Sequence, residues 1–127
     1  MATALKNVRT LLANQSVSAT TTVRGVLGLQ TALGGIVTYK ITNSGTLGAQ
    51  CVANLLVAHN GTTPASAAAG TDWKTIYSVG NGTTSGTVGE WSYTFGPEIM
   101  NLEIEFTGHT TNAVVVEAFV SEFTSVG

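Results

Sequence analysis

The sequence is poor in charged residues. Its 127 residues include only 5 lysines and arginines and 7 aspartates and glutamates, so 9% of the chain is charged. Ordinary soluble domains contain roughly 25%. The cations Lys6, Arg9, Arg24, Lys40 and Lys74 are scattered along the chain. Because a nucleic-acid groove needs several cations close together to neutralise phosphates, the sequence predicts no nucleic-acid binding.

Three further absences narrow the class of protein. Cys51 is the only cysteine, so the sequence predicts neither an intrachain disulfide nor a cysteine-based metal cluster. No run of about 18 apolar residues is present, which predicts no transmembrane helix and no membrane partner. The first 16 residues lack the apolar core of a secretory signal, and we therefore expect synthesis in the cytoplasm of the producing cell.

The low charge is combined with 43% hydrophobic residues. We interpret this combination as a surface that is largely covered by partners, because the exposed apolar area of a free monomer is normally limited. The alternative is that the many threonine, serine and asparagine side chains hydrate the surface by themselves.

The strongest structural signal lies in residues 91–123. Apolar and polar residues alternate along 91–95 and again along 102–106, which is the period of a strand with one buried face. Turn residues at 96–97 and 108–112 separate these runs. The last run, 113–123, is β-branched and aromatic on both faces, which predicts a strand deep in a sheet.

Upstream, strand-like runs at 23–30, 36–43, 50–59 and 71–79 are separated by glycine, asparagine and proline. We interpret residues 1–18 as an extended N-terminal arm or a first strand. The sequence therefore predicts an all-β protein, a single antiparallel β-sandwich domain spanning 1–127. We expect it to be jelly-roll-like, with seven to nine short strands and an extended N-terminal arm.

Residues that could carry chemistry are few. Asp72 is the only aspartate, His59 and His109 lie in or beside predicted loops, and no G-x-S-x-G motif is present. Glu103 and Glu105 share one strand face, and we interpret them as a solvated stripe. The sequence predicts no catalytic, cofactor or metal site and no enzyme. It leaves open a metal bound by His109 repeated around a symmetry axis.

Four aromatic residues allow two interpretations. Trp73, Tyr77, Trp91 and Tyr93 lie on the inward side of their alternations, so we interpret them as sandwich core. The alternative is a platform on a sheet face that stacks against sugar rings. That alternative predicts a carbohydrate-binding or receptor-binding module.

Residues 34–123 carry a familiar order of features. The strand IVTYKITNSG is followed by a strand ending in VAHNG, by DWKTIYSV, and by the run EWSYTFGPEIMNLEIEFTGHTTNAVVVEAFVSEF. This order resembles small β-sandwich virion proteins of tailed bacteriophages, most of all capsid decoration (cement) proteins. The resemblance implies a non-enzymatic homo-oligomer, a trimer, that binds the major capsid protein. It also implies assembly in the host cytoplasm and a final location on the capsid surface of the virion.

We expect partner contacts from the N-terminal arm and from the loop at 60–70, where small residues and a proline dominate. The residues predicted to make these contacts are Leu5, Val8, Leu11, Leu12, Asn60, Thr62 and Pro64. The alternatives within this interpretation are a structural protein of the tail or head–tail junction, or a carbohydrate-binding or receptor-binding module.

Overall fold

The structure, a computed structural model, describes residues 4–126, and every regular element in that range is a β-strand. The eight strands are β1 (Ala4–Val17), β2 (Val23–Gly28), β3 (Gly34–Asn43), β4 (Val52–Ala58), β5 (Lys74–Gly80), β6 (Val88–Phe95), β7 (Asn101–Thr107) and β8 (Val114–Val126). The predicted all-β fold class is confirmed. Two strands are longer than expected, since β1 has 14 residues and β8 has 13. The described residues include no helix with the length and hydropathy of a membrane span.

The strands form two four-stranded antiparallel sheets. Sheet A has the order β1-β8-β3-β6, and sheet B has the order β2-β7-β4-β5. The chain therefore folds as a nested series of antiparallel pairs, β1 with β8, β2 with β7, β3 with β6 and β4 with β5. Eight strands in two sheets connected in this way form a jelly roll.

The core lies between the two sheets and follows the alternation of the strands. Val37, Tyr39 and Ile41 of β3 are at most 1% exposed, while the residues between them face outward. Leu55 of β4 and Ile104 of β7 are fully buried on the inner face of the opposite sheet. Each such side chain contributes about 1.5–3 kcal/mol by leaving water, so the inward rows hold the sandwich together.

Residues 1–18 were interpreted as an extended arm or as a strand. The structure shows a strand, β1, over residues 4–17. β1 pairs antiparallel with β8 from Ala4 opposite Val126 to Val17 opposite Val114. Three register shifts interrupt this pairing, and Asn14 has a φ of 45°. The predicted arm is thus bound along the edge of sheet A over residues 4–17, and residues 1–3 lie outside the described range.

Candidate docking surface

The outer face of sheet A is broad and carries few charges. Its outward residues form rows that cross all four strands in register. One row contains Val8, Ser121, Ile36 and Thr94, and the next contains Thr10, Phe119, Thr38 and Ser92. We call these two rows, together with Phe123, the sheet A face. Hydroxyl, β-branched and aromatic side chains make up this surface.

Charged groups lie at the margins of the sheet A face. Lys40 and Glu117 form an ion pair at 3.3 Å in the adjacent row, where Glu90 is also in register. Within the two rows, the hydroxyls of Thr38 and Ser92 bond to each other at 2.8 Å. Because a desolvated charge is costly whereas paired hydroxyls are not, a partner can cover these rows at little electrostatic cost.

The sheet A face has an apolar corner where β1, β8 and β3 meet. Val8 is 70% exposed and Ile36 is 38% exposed, and Leu33, at 39%, lies just before β3. The ring of Phe123 covers Gly34, since a Cβ at that glycine would lie 3.3 Å from the ring. A depression of about 350 Å³ lies beside this corner. It is lined by Lys6, Asn7 and Val8 of β1 and by Ser121, Glu122 and Phe123 of β8.

The four predicted contact residues of the N-terminal segment separate into two groups. Leu5 is 58% exposed and Val8 is 70% exposed. Leu12, in contrast, is 8% exposed and belongs to the core, and Leu11 packs against that core from a half-buried position. A Cβ at Gly25 would lie 3.1 Å from the Cβ of Leu11, so β1 packs closely against β2 at this point. Of these four residues, only Leu5 and Val8 have exposed side chains.

The loop at 60–70 belongs to a longer connection, residues 59–73, that folds over the outer face of sheet B. The indole nitrogen of Trp73 donates to the carbonyl oxygen of Ala65 at 2.5 Å. The side-chain amide of Asn101 donates to the carbonyl oxygen of Asn60 at 2.9 Å. Thr62 is exposed, whereas Asn60 and Pro64 are half-buried. This loop therefore already has an intrachain role as a cover for sheet B.

A polar row crosses the outer face of sheet B. Arg24 of β2 forms an ion pair with Glu105 of β7, and Asn54 of β4 donates to the other oxygen of Glu105 at 2.8 Å. Ser78 of β5 donates to Asn54 at 2.5 Å. The predicted solvated stripe of glutamates is wrong, because Glu105 is half-buried in this row and Glu103 is fully buried.

Glu103 lies beneath the 59–73 loop. The backbone amide of Ala67 contacts both of its carboxylate oxygens, and Arg24 Nε is 3.9 Å away. Burial raises the pKa of Glu103, while the Ala67 amide and Arg24 partly offset that rise. This carboxylate therefore anchors the loop to the sheet.

The four aromatic residues do not share one environment. Trp73 is 7% exposed and packs with Leu56 and Ala58 in a small cluster outside the main core. Trp91 and Tyr93 are half-buried against the main core, and Tyr77 is 44% exposed. The rings of Tyr77 and Tyr93 lie 6.3 Å apart at the side of the sandwich where β5 and β6 face each other. The core interpretation therefore fits Trp91 and Tyr93 in part. Trp73 is buried, but outside the main core, and the interpretation is wrong for the exposed Tyr77.

The register explains why Trp73 differs from the prediction. β4 and β5 shift register between Leu55 and Leu56, so the expected alternation from Trp73 to Val79 is broken. Trp73 precedes β5 and turns to the outer side of sheet B, while Tyr77 stays opposite the buried Leu55. A β-bulge of this kind redirects side chains without a clear signal in the sequence.

The histidines and the cysteine are separated in the structure. His109 is fully buried in the loop before β8, where its Nε2 contacts the carbonyl oxygens of Val17 and Ser18 at 3.1 and 2.9 Å. His59 is exposed at the end of β4. Cys51 is fully buried, and burial raises its pKa to about 11. Over residues 4–126, no three histidine, cysteine or acidic residues are grouped as metal ligands.

No protein-family model matches the sequence, and no curated protein matches it. Solved structures do match the fold. A structure of the infectious bursal disease virus Gx strain aligns with a TM-score of 0.56 and 12% identity, over 94% of this chain and 32% of that one. The subviral particle of VP2 from infectious bursal disease virus aligns with a TM-score of 0.54 and 11% identity, over 96% of this chain and 33% of that one.

An adhesin domain has the same degree of similarity. The K3 cleaved adhesin domain of Lys-gingipain from Porphyromonas gingivalis w83 aligns with a TM-score of 0.56 and 12% identity, over 78% of this chain. This protein spans 32% of the first viral chain and 63% of the adhesin domain. At these identities the comparisons show a shared β-sandwich fold, which occurs here both in viral particle proteins and in an adhesin.

Sequence reasoning identified Val8 but missed Ile36 and Phe123. All three lie on outward positions of strands. The alternation of β3 carried the signal for Ile36, whereas β8 is apolar on both faces and carried none for Phe123. The alternation predicts which residues face outward. It does not predict that β1 and β3 flank the same strand, β8, which places Val8 and Ile36 on either side of Ser121.

Proposed function

We propose that this protein is a non-enzymatic structural component of a virion, a capsid decoration protein that binds the shell of a bacteriophage through the sheet A face. The observation that carries the proposal is the low-charge sheet A face with its exposed apolar corner at Val8 and Ile36. Exposed apolar residues that are grouped together mark protein interaction sites. The viral fold similarities agree with this role without specifying it.

Binding would come from burial of apolar area. Covering apolar surface contributes roughly 25 cal/mol per Å², and the corner with its 350 Å³ depression accepts a protruding apolar side chain of the shell. We propose the major capsid protein as this partner, and a homo-oligomer, a trimer, as the bound form. Several modest contacts in one oligomer act together, so each can be weak while the whole remains bound.

The face of sheet A fits this role better than the free edge of β1. β1 carries Lys6 and Arg9 and has three register shifts against β8, and these features oppose pairing with a further strand. Arg9 also reaches inward to Glu122, with Nε donating to the carboxylate at 2.8 Å. The N-terminal segment would therefore contribute through the side chains of Leu5 and Val8.

A co-sedimentation experiment tests the proposal. Shells assembled from the major capsid protein encoded in the same genome are mixed with the purified protein and pelleted. We expect wild type to pellet with the shells, and Val8→Asp to weaken binding at least about tenfold, which corresponds to about 1.4 kcal/mol. Ser85→Asp, an exposed change in the loop before β6, is the matched control and should bind like wild type. Wild-type protein that stays in the supernatant would contradict the proposal.

A second candidate function rests on the aromatic side of the sandwich. Tyr77 is 44% exposed beside Tyr93, and Trp91 follows along the same strand face. Aromatic rings in this position could stack against sugars, which is the carbohydrate-binding alternative. A glycan-binding screen tests it: binding by wild type that Tyr77→Ala abolishes at unchanged stability would favour this function, and no binding would remove it.

A further inference from the structure

β6 differs from the other three strands at the sheet edges. The edges of the two sheets are β1 and β6 in sheet A, and β2 and β5 in sheet B. β1 has three register shifts, β5 has one and carries Lys74, and β2 is six residues long with Arg24 near its start. Charges, bulges and shortness are the usual protections of an edge against pairing.

β6 has only one of these protections, a single charged residue. It runs for eight residues, VGEWSYTF, pairs with β3 without a register shift, and contains no lysine, arginine or proline. Its only charged residue is Glu90. In residues 4–126 no strand pairs with its other edge. An edge without a register shift or a positive charge, rich in aromatic and β-branched residues, is a template for another strand.

We propose that β6 is a self-association edge, through which two copies of this chain pair antiparallel about a two-fold axis at Ser92 and join their A sheets into one of eight strands. This inference extends the proposed structural role. It rests on that role only because both require contacts between copies of this chain. A two-fold contact uses one surface of each copy, so it can link trimers that are held together elsewhere.

The side chains of β6 favour a second copy as the occupant. With the axis at Ser92, Trp91 of each copy lies opposite Tyr93 of the other, on the inward side. Trp91 already stacks on Tyr39 with ring centroids 5.9 Å apart, so the second copy would extend an existing aromatic row. Aromatic cross-strand pairs stabilise sheets by roughly 0.2–1 kcal/mol each.

Charge also fits this register. Glu90 would lie opposite Thr94 of the second copy, so no like charges meet across the axis. An axis at Glu90 would instead bring the two carboxylates together, which is unfavourable. An axis at Trp91 would leave Tyr93 opposite Gly89. Of these three axes, the one at Ser92 alone places both Trp91 and Tyr93 opposite an aromatic residue and keeps the carboxylates apart.

The expected contact is weak in dilute solution. Seven paired residues extend about 24 Å at about 3.4 Å each, and two sheets are about 10 Å apart, which gives a strip on the order of 250 Å² per copy. A standard interface has roughly 800 Å² per partner. We therefore expect dimers in roughly the micromolar range or weaker, which become significant when many copies are held close together on one surface.

Analytical ultracentrifugation of the full chain over a range of concentrations tests the inference. We expect Ser92→Lys to weaken self-association at least about tenfold, because two lysines would meet at the axis. The matched control is Thr10→Lys, which adds the same charge to the same row at the opposite edge of sheet A and should associate like wild type. Equal effects of the two variants would overturn the inference.

Two further measurements make the test independent of folding defects. Mixing Ser92→Lys with Ser92→Glu should restore association, since opposite charges then meet at the axis. Ser92→Cys should form disulfide-linked dimers on mild oxidation faster than Thr10→Cys, because facing residues in an antiparallel pair lie within disulfide reach. No restoration and no preferential cross-linking would overturn the β6 contact, whereas a loss of shell binding in Val8→Asp would still support the proposed function.

Discussion

The backbone amide of Ala67 donates to both carboxylate oxygens of Glu103, at 3.0 and 3.3 Å. Ala67 lies in the 59–73 loop and Glu103 lies in the middle of β7. This contact fastens an irregular segment to the outer face of sheet B and removes a carboxylate from water. The loop that the sequence predicts to contact a partner is therefore packed against sheet B of the same domain.

The buried carboxylate has a consequence for pH dependence. Because burial raises the pKa of Glu103 above its ordinary value of about 4.3, the folded protein holds this proton to higher pH than the unfolded chain does. The stability that the protonated Glu103 contributes is present below about pH 4 and is lost as the pH rises through the raised pKa. Relative to wild type, Glu103→Gln should therefore become more stable as pH increases from 4 to 8, as measured by urea unfolding.

The glutamine in this variant can still accept a hydrogen bond from the Ala67 amide, so the loop contact is kept. Glu98→Gln, an exposed change in the turn before β7, is the control and should keep the wild-type pH profile. A difference between Glu103→Gln and wild type that does not vary with pH would contradict the prediction.

Truncation of Trp73 should destabilise the protein strongly. Trp73 is 7% exposed, fills the cluster beneath the 59–73 loop and donates to the carbonyl oxygen of Ala65. Trp73→Ala should lower the free energy of unfolding by about 3–4 kcal/mol. Tyr77→Ala, at a 44% exposed ring, should cost about 1 kcal/mol or less. Equal losses in chemical denaturation would show that the loop cluster contributes little.

Gly35 should not tolerate a side chain. A Cβ at this position would collide with the carbonyl oxygen of Ser121 and lie 2.8 Å from the ring of Phe95. Since Gly35 pairs directly with Glu122 of β8, the backbone cannot move away without breaking the sheet. Gly35→Ala should lose at least about 2 kcal/mol of stability. Gly61→Ala has no atom within 4 Å of the new Cβ and should change thermal unfolding little.

The thiol of Cys51 should report global unfolding. It is fully buried, and burial raises its pKa to about 11, so thiolate is scarce at pH 8. We expect negligible reaction with an aromatic disulfide reagent in native buffer and a rate that rises with denaturant in parallel with unfolding. Rapid labelling of the native protein would show that the end of the sandwich near β4 opens locally.

The sequence predicted the strands whose pattern is uninterrupted. In β3 and β7 the alternation correctly predicted which residues face the core, because a period of two translates directly into two faces. The prediction failed for residues whose contacts are made by distant parts of the same chain. Glu103 was expected to be solvated, and it is covered by a loop that precedes it by more than thirty residues in the sequence.

Interruptions of the register account for the other differences. Leu11 and Leu12 were expected on a contact surface, but the shift between Thr10 and Leu12 turns Leu12 into the core. The shift between Leu55 and Leu56 moves Trp73 to the outer side of sheet B in the same way. A bulge adds one residue to a strand, and neither case left a clear mark in the local composition.

The amino-acid sequence by itself determined that this protein is an all-β sandwich with few charges, because alternation and turn residues act locally. The tertiary structure alone decided which faces are free. Antiparallel pairing places β1 and β3 on either side of β8, brings Val8 and Ile36 to one corner, and leaves β6 at an unprotected edge. These placements depend on contacts between residues far apart in the chain, and no local pattern contains that information.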